Sequence, residues 1–247
     1  MWTYLLILFS SLVFVAVYVN RARFLCKKNN TPVETPEEND VDDEIDEIKA
    51  QISEKNTKKD TKKVEALCVK GEERLKAGKE EEAIKFFVQA LAIDELHIET
   101  QNKLAMLYMK KQMFSSAAVL FKNLGKLTGE PLHYSHLGLA CYQEQRFEEA
   151  KDAYQKAVDL DPSRPQRYVS LAQVYRSLDQ FQNAIIALNK AIDIDAENLD
   201  YIFLLGEIQA ENGNKKEALD VFNKLKDLTP DNQEVIDAIK LLSSDSD

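Results

Sequence analysis

The last two thirds of the chain repeat with a period of about 34 residues. Five consecutive segments align, at residues 64–97, 98–130, 131–164, 165–198 and 199–232. In every segment the eighth and the twentieth residues are small. They are Gly71, Ala105, Gly138, Ala172 and Gly206 at the eighth position and Ala83, Ala117, Ala150, Ala184 and Ala218 at the twentieth. Such a period is typical of stacked copies of one unit, each of which buries its apolar face against its neighbours.

The spacing of apolar residues predicts two helices joined by a short turn within each segment. Small side chains at fixed positions indicate where the two helices cross closely. Larger apolar side chains at two further positions are expected to fill the space around that crossing. They are Phe87, Phe121, Tyr154, Leu188 and Phe222 at the twenty-fourth position and Ile93, Leu127, Leu160, Ile194 and Leu228 at the thirtieth. Seven Gly and six Pro also suit helices better than a turn-rich β fold, so the predicted fold class is all-α.

This pattern resembles the tetratricopeptide repeat (TPR), and residues 134–162, YSHLGLACYQEQRFEEAKDAYQKAVDLDP, carry the strongest copy. The resemblance implies a right-handed superhelical solenoid of five helix pairs. Some repeats depart from the family pattern. Glu95, Gly129 and Ala196 stand in place of the terminal proline, and Gln101 replaces a large apolar residue at the fourth position of repeat two.

The two ends of the repeat array are expected to differ from its middle. Residues 233–242, QEVIDAIKLL, place apolar side chains on one helical face and are expected to form a helix that caps the last repeat. The TPR domain is therefore assigned to residues 64–247. At its start, Lys70 and Arg74 occupy the seventh and eleventh positions, which would face a preceding repeat, and the inner repeats carry leucine at the seventh. Their polarity indicates that no repeat precedes them.

The N-terminal part, residues 1–30, is predicted to be a transmembrane anchor with a basic flank. Residues 2–19 contain no charge, Gly or Pro, and as a helix they would span about 27 Å, close to the thickness of a bilayer core. A cleaved signal peptide is the alternative, but it would need a basic start and a small-residue cleavage motif. Arg21, Arg23, Lys27 and Lys28 follow the span, so the positive-inside rule places the repeats in the cytoplasm and the N-terminus outside.

Residues 31–63 are predicted to form a charged, mostly disordered tether, because they offer few apolar side chains for a core. One short stripe of apolar residues recurs at helical spacing, namely Val41, Ile45, Ile48 and Ile52. It is either a transient helix or a weak docking or self-association element.

No residue constellation in the sequence indicates an enzyme, and no cofactor or metal is expected. His133 and His136 lie three residues apart, but a zinc site needs three or four ligands, so two partly buried polar residues are the favoured interpretation. The cysteines Cys26, Cys68 and Cys141 are far apart. The net charge of −10 argues against nucleic acid as a partner.

The TPR resemblance implies that the first helices of the repeats line a concave groove that binds a peptide or partner protein. The groove candidates are Asn102, Met106, Met109, Leu139, Tyr142, Val169, Gln173, Arg176 and Phe203. A subset of the family binds the acidic C-termini of Hsp70 and Hsp90 through a carboxylate clamp. This sequence does not match that clamp, because the corresponding positions hold Cys68 and Glu72, Asn102 and Met106, and Ser135 and Leu139.

Two functions are compatible with these sequence features. The first is a membrane-tethered scaffold or adaptor that recruits a protein or peptide into the groove. The second is a structural membrane component that self-associates as a homo-oligomer through its tether or its outer face.

Overall fold

The computed structural model describes residues 58–244, which form helices and no strand. The eleven helices are α1 (Lys58–Lys76), α2 (Glu80–Leu91), α3 (Ile98–Lys110), α4 (Phe114–Thr128), α5 (Pro131–Gln143), α6 (Phe147–Leu160), α7 (Pro165–Ser177), α8 (Phe181–Ile194), α9 (Leu199–Glu211), α10 (Lys215–Leu228) and α11 (Gln233–Ser244). Each helix packs mainly on the helices before and after it in the chain. The predicted all-α solenoid is confirmed, with each repeat forming one helix pair.

The small residues lie where the two helices of a repeat meet, as predicted. All ten are buried, and three of them are glycines next to an aromatic ring at the twenty-fourth position. A methyl group placed on Gly71 would lie 2.5 Å from the ring of Phe87, and one on Gly206 would lie 2.7 Å from Phe222. The ring therefore occupies the space that a larger eighth residue would need.

The thirtieth position differs from the prediction. Ile93 and Leu127 are half-buried, but Leu160, Ile194 and Leu228 are exposed. Each of these three is the last residue of its helix. The thirtieth position thus closes the core in the first two repeats only.

The turn between the two helices of every repeat holds its fifteenth residue in the left-handed region. Gly78 and Gly213 fill this position in the outer repeats, with φ of 72° and 79°. Gln112, Gln145 and Asp179 fill it in the inner repeats, with φ of 57° to 58°. A side chain is disfavoured there, so the inner turns carry backbone strain that glycine would avoid.

Both unusual residues of repeat two have a structural role. Gly129 ends α4 in the left-handed conformation, with φ of 67°, so the helix stops without a proline. Gln101 is buried, and its amide Nε2 donates a hydrogen bond to the Glu95 carbonyl oxygen at 2.6 Å. Gln101 therefore fixes the connection between α2 and α3.

The cap helix α11 packs on the second helix of the last repeat. Val235 is buried beside Phe222 and Leu225, and Ile239 and Leu242 pack against the same cluster. This contact covers the apolar face that α10 would otherwise leave open at the end of the array.

Helix α1 begins six residues before the first repeat. Residues 58–63, assigned to the tether from the sequence, are therefore helical. Val64 is buried against Cys68 and Ala90, which fixes this part of the helix on α2, and Asp60 lies in its first turn, where a negative charge favours the helix. The candidate anchor at residues 2–19 and the apolar stripe of the tether lie outside the described residues. Among the helices of residues 58–244, none is long and apolar enough to cross a membrane.

Candidate functional site

The first helices of the five repeats, α1, α3, α5, α7 and α9, form one surface, here called the first-helix face. Its most accessible candidate residues are those at the ninth position. Met106 is 48% exposed, Leu139 is 37% exposed and Gln173 is also exposed. These three residues stand on consecutive first helices, so they are available to a partner that crosses the repeats.

The candidates at the twelfth position are half-buried and already have partners. Met109 and Tyr142 pack against the same core cluster, and the Tyr142 ring lies 5.5 Å from that of Phe147. The Ser177 hydroxyl donates to the Tyr142 hydroxyl oxygen at 3.3 Å. These residues shape the base of the first-helix face more than they project from it.

Arg176, also at the twelfth position, is held by two carboxylates of the next repeat. Its Nε donates to Glu211 at 2.7 Å, and its Nη1 lies 3.5 Å from Glu207. The hydrogen bonds with Glu211 raise the pKa of Arg176. This network neutralises the guanidinium, so Arg176 is not a free cation for a ligand.

The candidates at the fifth position separate into two kinds. Val169 is only 5% exposed and packs in the core with Ala172, so a ligand cannot reach it. The Phe203 ring is half-buried, 5.3 Å from the ring of Phe222. Asn102 is also half-buried, but it lines an open pocket. The fifth residue therefore packs into the core in repeat four, whereas in repeat two it borders an open pocket.

That pocket lies on the first-helix face between α1 and α3 and has a volume of about 670 Å³. Its lining residues are Leu75, Glu80, Glu99, Asn102, Lys103, Met106, Leu107 and Lys110. Leu75, Met106 and Leu107 give it an apolar wall. The charged residues are paired: Lys103 contacts Glu72 and Glu99, and Lys110 contacts Glu80. Partial burial opposes protonation of Lys103, yet its hydrogen bonds with both carboxylates raise its pKa.

One accessible residue of this face was missed from the sequence. Leu132, at the second position of repeat three, is 52% exposed. It lies seven residues before Leu139 on α5, so both side chains share one side of that helix. Met106, Leu132 and Leu139 are here called the apolar strip. The neighbouring repeats carry the polar residues Glu99 and Gln166 at the second position, so the sequence gives no repeated apolar signal there.

The two histidines lie at the junction of repeats two and three. His133 is buried, and its Nδ1 lies 2.9 Å from the hydroxyl of Thr128. The His136 ring lies 4.8 Å from that of Phe121. Burial lowers the pKa of both imidazoles. Within residues 58–244, no group of three His, Cys, Asp or Glu side chains is placed to hold a metal ion.

The positions that correspond to the carboxylate clamp are partly inaccessible. Cys68 is buried, and its thiol lies 2.7 Å from the Thr100 hydroxyl. Two of the other positions are apolar and exposed, namely Met106 and Leu139. The first-helix face therefore offers a partner mainly exposed apolar side chains, with paired charged side chains beside them.

The helix pairs, their crossing residues and this face define a helical-repeat protein of the solenoid class. The TPR family pattern matches residues 64–95, 132–164, 165–198 and 199–232, more than half of the chain. The chain belongs to the tetratricopeptide-repeat family. Repeat two lies outside the matched segments, although it folds as a helix pair like the others.

Solved structures share this fold, whereas no curated protein matches the sequence significantly. A crystal structure of MamA is 25% identical, with a TM-score of 0.63 over 68% of this chain and 92% of that one. YrrB, described as a TPR protein with an unusual peptide-binding site, is 18% identical, with a TM-score of 0.61 over 70% and 90%. A tetratricopeptide repeat protein from Parabacteroides merdae is 14% identical, with a TM-score of 0.64 over 73% and 72%. The last two likenesses concern the fold alone.

Proposed function

We propose that this protein is an interaction scaffold that binds a peptide segment of a partner protein on its first-helix face. The observation that carries the proposal is the apolar strip, whose three side chains are 37% to 52% exposed. Exposed Met and Leu side chains grouped on one surface are typical of sites that receive apolar anchors of a partner. The pocket of about 670 Å³ beside Met106 supplies a depression in which such an anchor would fit.

The charges around the strip support a peptide ligand with few charges at its centre. Lys103 and Arg176 are each held by two carboxylates, so a ligand charge would have to displace an existing pair. Paired charges around an apolar centre resemble the polar rim of a protein interface. We therefore infer that apolar side chains supply most of the binding energy.

We further propose that residues 2–19 tether the scaffold to a membrane, with the repeats in the cytoplasm. The uncharged run and the basic residues Arg21, Arg23, Lys27 and Lys28 after it support this part. Protease added to sealed, correctly oriented cells should spare the repeats and digest them only after the membrane is opened. Digestion before opening would contradict the orientation.

Selection of peptides from a displayed library on the full-length protein in detergent micelles tests the binding proposal. Selected peptides should carry large apolar residues, and they should bind the double variant Met106→Gln and Leu139→Gln at least about tenfold more weakly, as expected for central apolar anchors. The matched control replaces Glu148 and Lys151, an ion pair on α6, by Gln and should leave affinity unchanged. Peptides whose affinity responds only to the control pair would contradict the proposal.

A further inference from the structure

A second pocket lies away from the first-helix face, between the second helices α4 and α6. Its volume is about 390 Å³, and its floor is apolar, formed by Ala118, Leu137, Cys141 and Ala153. Four basic and two acidic side chains surround that floor: Lys122, Lys126, Arg146, Lys156, Glu149 and Asp152. An excess of positive charge here stands out on a chain whose net charge is −10.

The charges around this pocket are not equivalent. Arg146 is already neutralised, because its Nε donates to Glu149 at 2.8 Å and its Nη1 donates to Glu144 at 3.0 Å. Lys122, Lys126 and Lys156 form no salt bridge with any carboxylate in the part of the chain that the structure describes. Three lysines from two helices are thus without a salt bridge beside the pocket, although Lys122 is close enough to Glu149 that its charge helps to lower the pKa of that carboxyl.

The helix dipole accounts for only part of this arrangement. Lys126 lies in the last turn of α4, where a cation is favourable without any ligand. Lys122 lies one turn earlier, and Lys156 belongs to α6. All three lysines lie at the rim of the pocket, and the floor of the pocket is apolar. The site therefore offers a ligand both positive charge and an apolar contact.

We propose that this pocket binds an acidic peptide segment of a partner protein. Carboxylates of the segment would contact Lys122, Lys126 and Lys156, while one apolar side chain would cover Leu137 and Ala153. Charge complementarity favours an acidic segment, because the three lysines outnumber Asp152, the one lining carboxylate that Arg146 does not pair. The apolar floor favours a peptide over nucleic acid, because a peptide can place an apolar side chain there. The site is separate from the apolar strip and does not depend on it.

The test uses the full-length protein in detergent micelles and a fluorescein-labelled peptide with one central leucine between runs of glutamate. Fluorescence anisotropy should show saturable binding that weakens as salt is raised. The triple variant Lys122→Gln, Lys126→Gln and Lys156→Gln should bind about tenfold more weakly, since each exposed charge contact contributes a modest share. Replacing the peptide's leucine by serine should also weaken binding.

The matched control replaces Lys190 and Lys224 by Gln. Both occupy the twenty-sixth position of their repeats, as Lys156 does in repeat three, so this control should leave affinity unchanged. The proposal is overturned by unchanged binding in the triple variant, by no binding up to about 1 mM peptide, or by equal binding of a peptide with lysine in place of glutamate. It is also overturned if light scattering shows that the triple variant changes the oligomeric mass, because the pocket would then contact a second copy of the chain.

Discussion

Gly138 lies directly against the ring of Tyr154, so closely that a methyl group on Gly138 would be 2.8 Å from the ring carbons Cδ2 and Cε2. The two residues occupy the eighth and twenty-fourth positions of repeat three. Glycine also faces an aromatic ring in repeats one and five, whereas Ala172 stands with Leu188 in repeat four. Repeat two differs from both, because Ala105 stands with Phe121 there. The close contact of glycine with a ring is therefore a feature of repeats one, three and five.

Replacing Gly138 by Ala should therefore overpack the helix crossing and lower the free energy of unfolding by about 1–3 kcal/mol. Adding Tyr154→Leu should recover part of the loss, because repeat four already packs Ala172 beside Leu188. Chemical denaturation of both single variants and the double variant measures the coupling. Strictly additive losses would show that the two side chains do not compete for the same space.

The left-handed turns predict a substitution that raises the free energy of unfolding. Gln145 has φ of 58°, so Gln145→Gly should raise the free energy of unfolding by about 0.5–1 kcal/mol, after allowance for the greater freedom of the unfolded chain. The matched change Gly213→Gln, at the same position of repeat five, should lower it by a similar amount. Thermal denaturation gives both values, and a fall in midpoint for the first variant would contradict the assignment of strain.

The buried histidines predict a loss of stability in mild acid. Burial lowers the pKa of His133 and His136 in the folded state, whereas an exposed imidazole has a pKa of about 6.5. Below that value the unfolded chain binds protons that the folded chain resists, so this part of the stability is complete above about pH 6.5 and is lost as the pH falls. The slope is at most about 1.4 kcal/mol per pH unit for each imidazole.

The double variant His133→Asn and His136→Gln separates this effect from titration of the carboxylates. Asn at position 133 keeps a donor for the Thr128 hydroxyl, which itself donates to the Leu124 carbonyl oxygen. The variant should be less stable at neutral pH but should lose less stability between about pH 7.5 and 5.5. Denaturation midpoints at both pH values measure this, and an equal loss in variant and wild type would exclude the histidines as the cause.

The N-terminal extension of α1, residues 58–63, predicts which fragment of the chain keeps the full stability of the fold. Residues 58–247 should be soluble and strongly helical by circular dichroism, because α1 is complete within them. A chain that begins at Val64 should have a lower denaturation midpoint, since the buried Val64 would become the frayed end of the helix. Equal midpoints would show that residues 58–63 contribute nothing to the fold.

The sequence predicted the helix pairs because the crossing residues repeat in every copy and are set by contacts within one repeat. It did not predict the left-handed fifteenth residue, since Gln112, Gln145 and Asp179 are not typical of that conformation. The candidate site was predicted less well. Accessibility on the first-helix face depends on tertiary packing that a list of apolar residues does not give: Met106, at the ninth position, is exposed, whereas Val169, at the fifth, is buried.

Site-specific photo-cross-linking in cells that express the full-length protein tests the central claim, that the apolar strip receives the partner. A photoreactive amino acid would replace Met106 or Leu139 in one set of proteins and Ile186 in another. Ile186 is the matched control, because it is an apolar residue 61% exposed on the second helix of repeat four. One common partner protein should cross-link from positions 106 and 139, and none should cross-link from position 186. Cross-linking of that partner from position 186 alone would contradict this claim and would place the interface on the second helices.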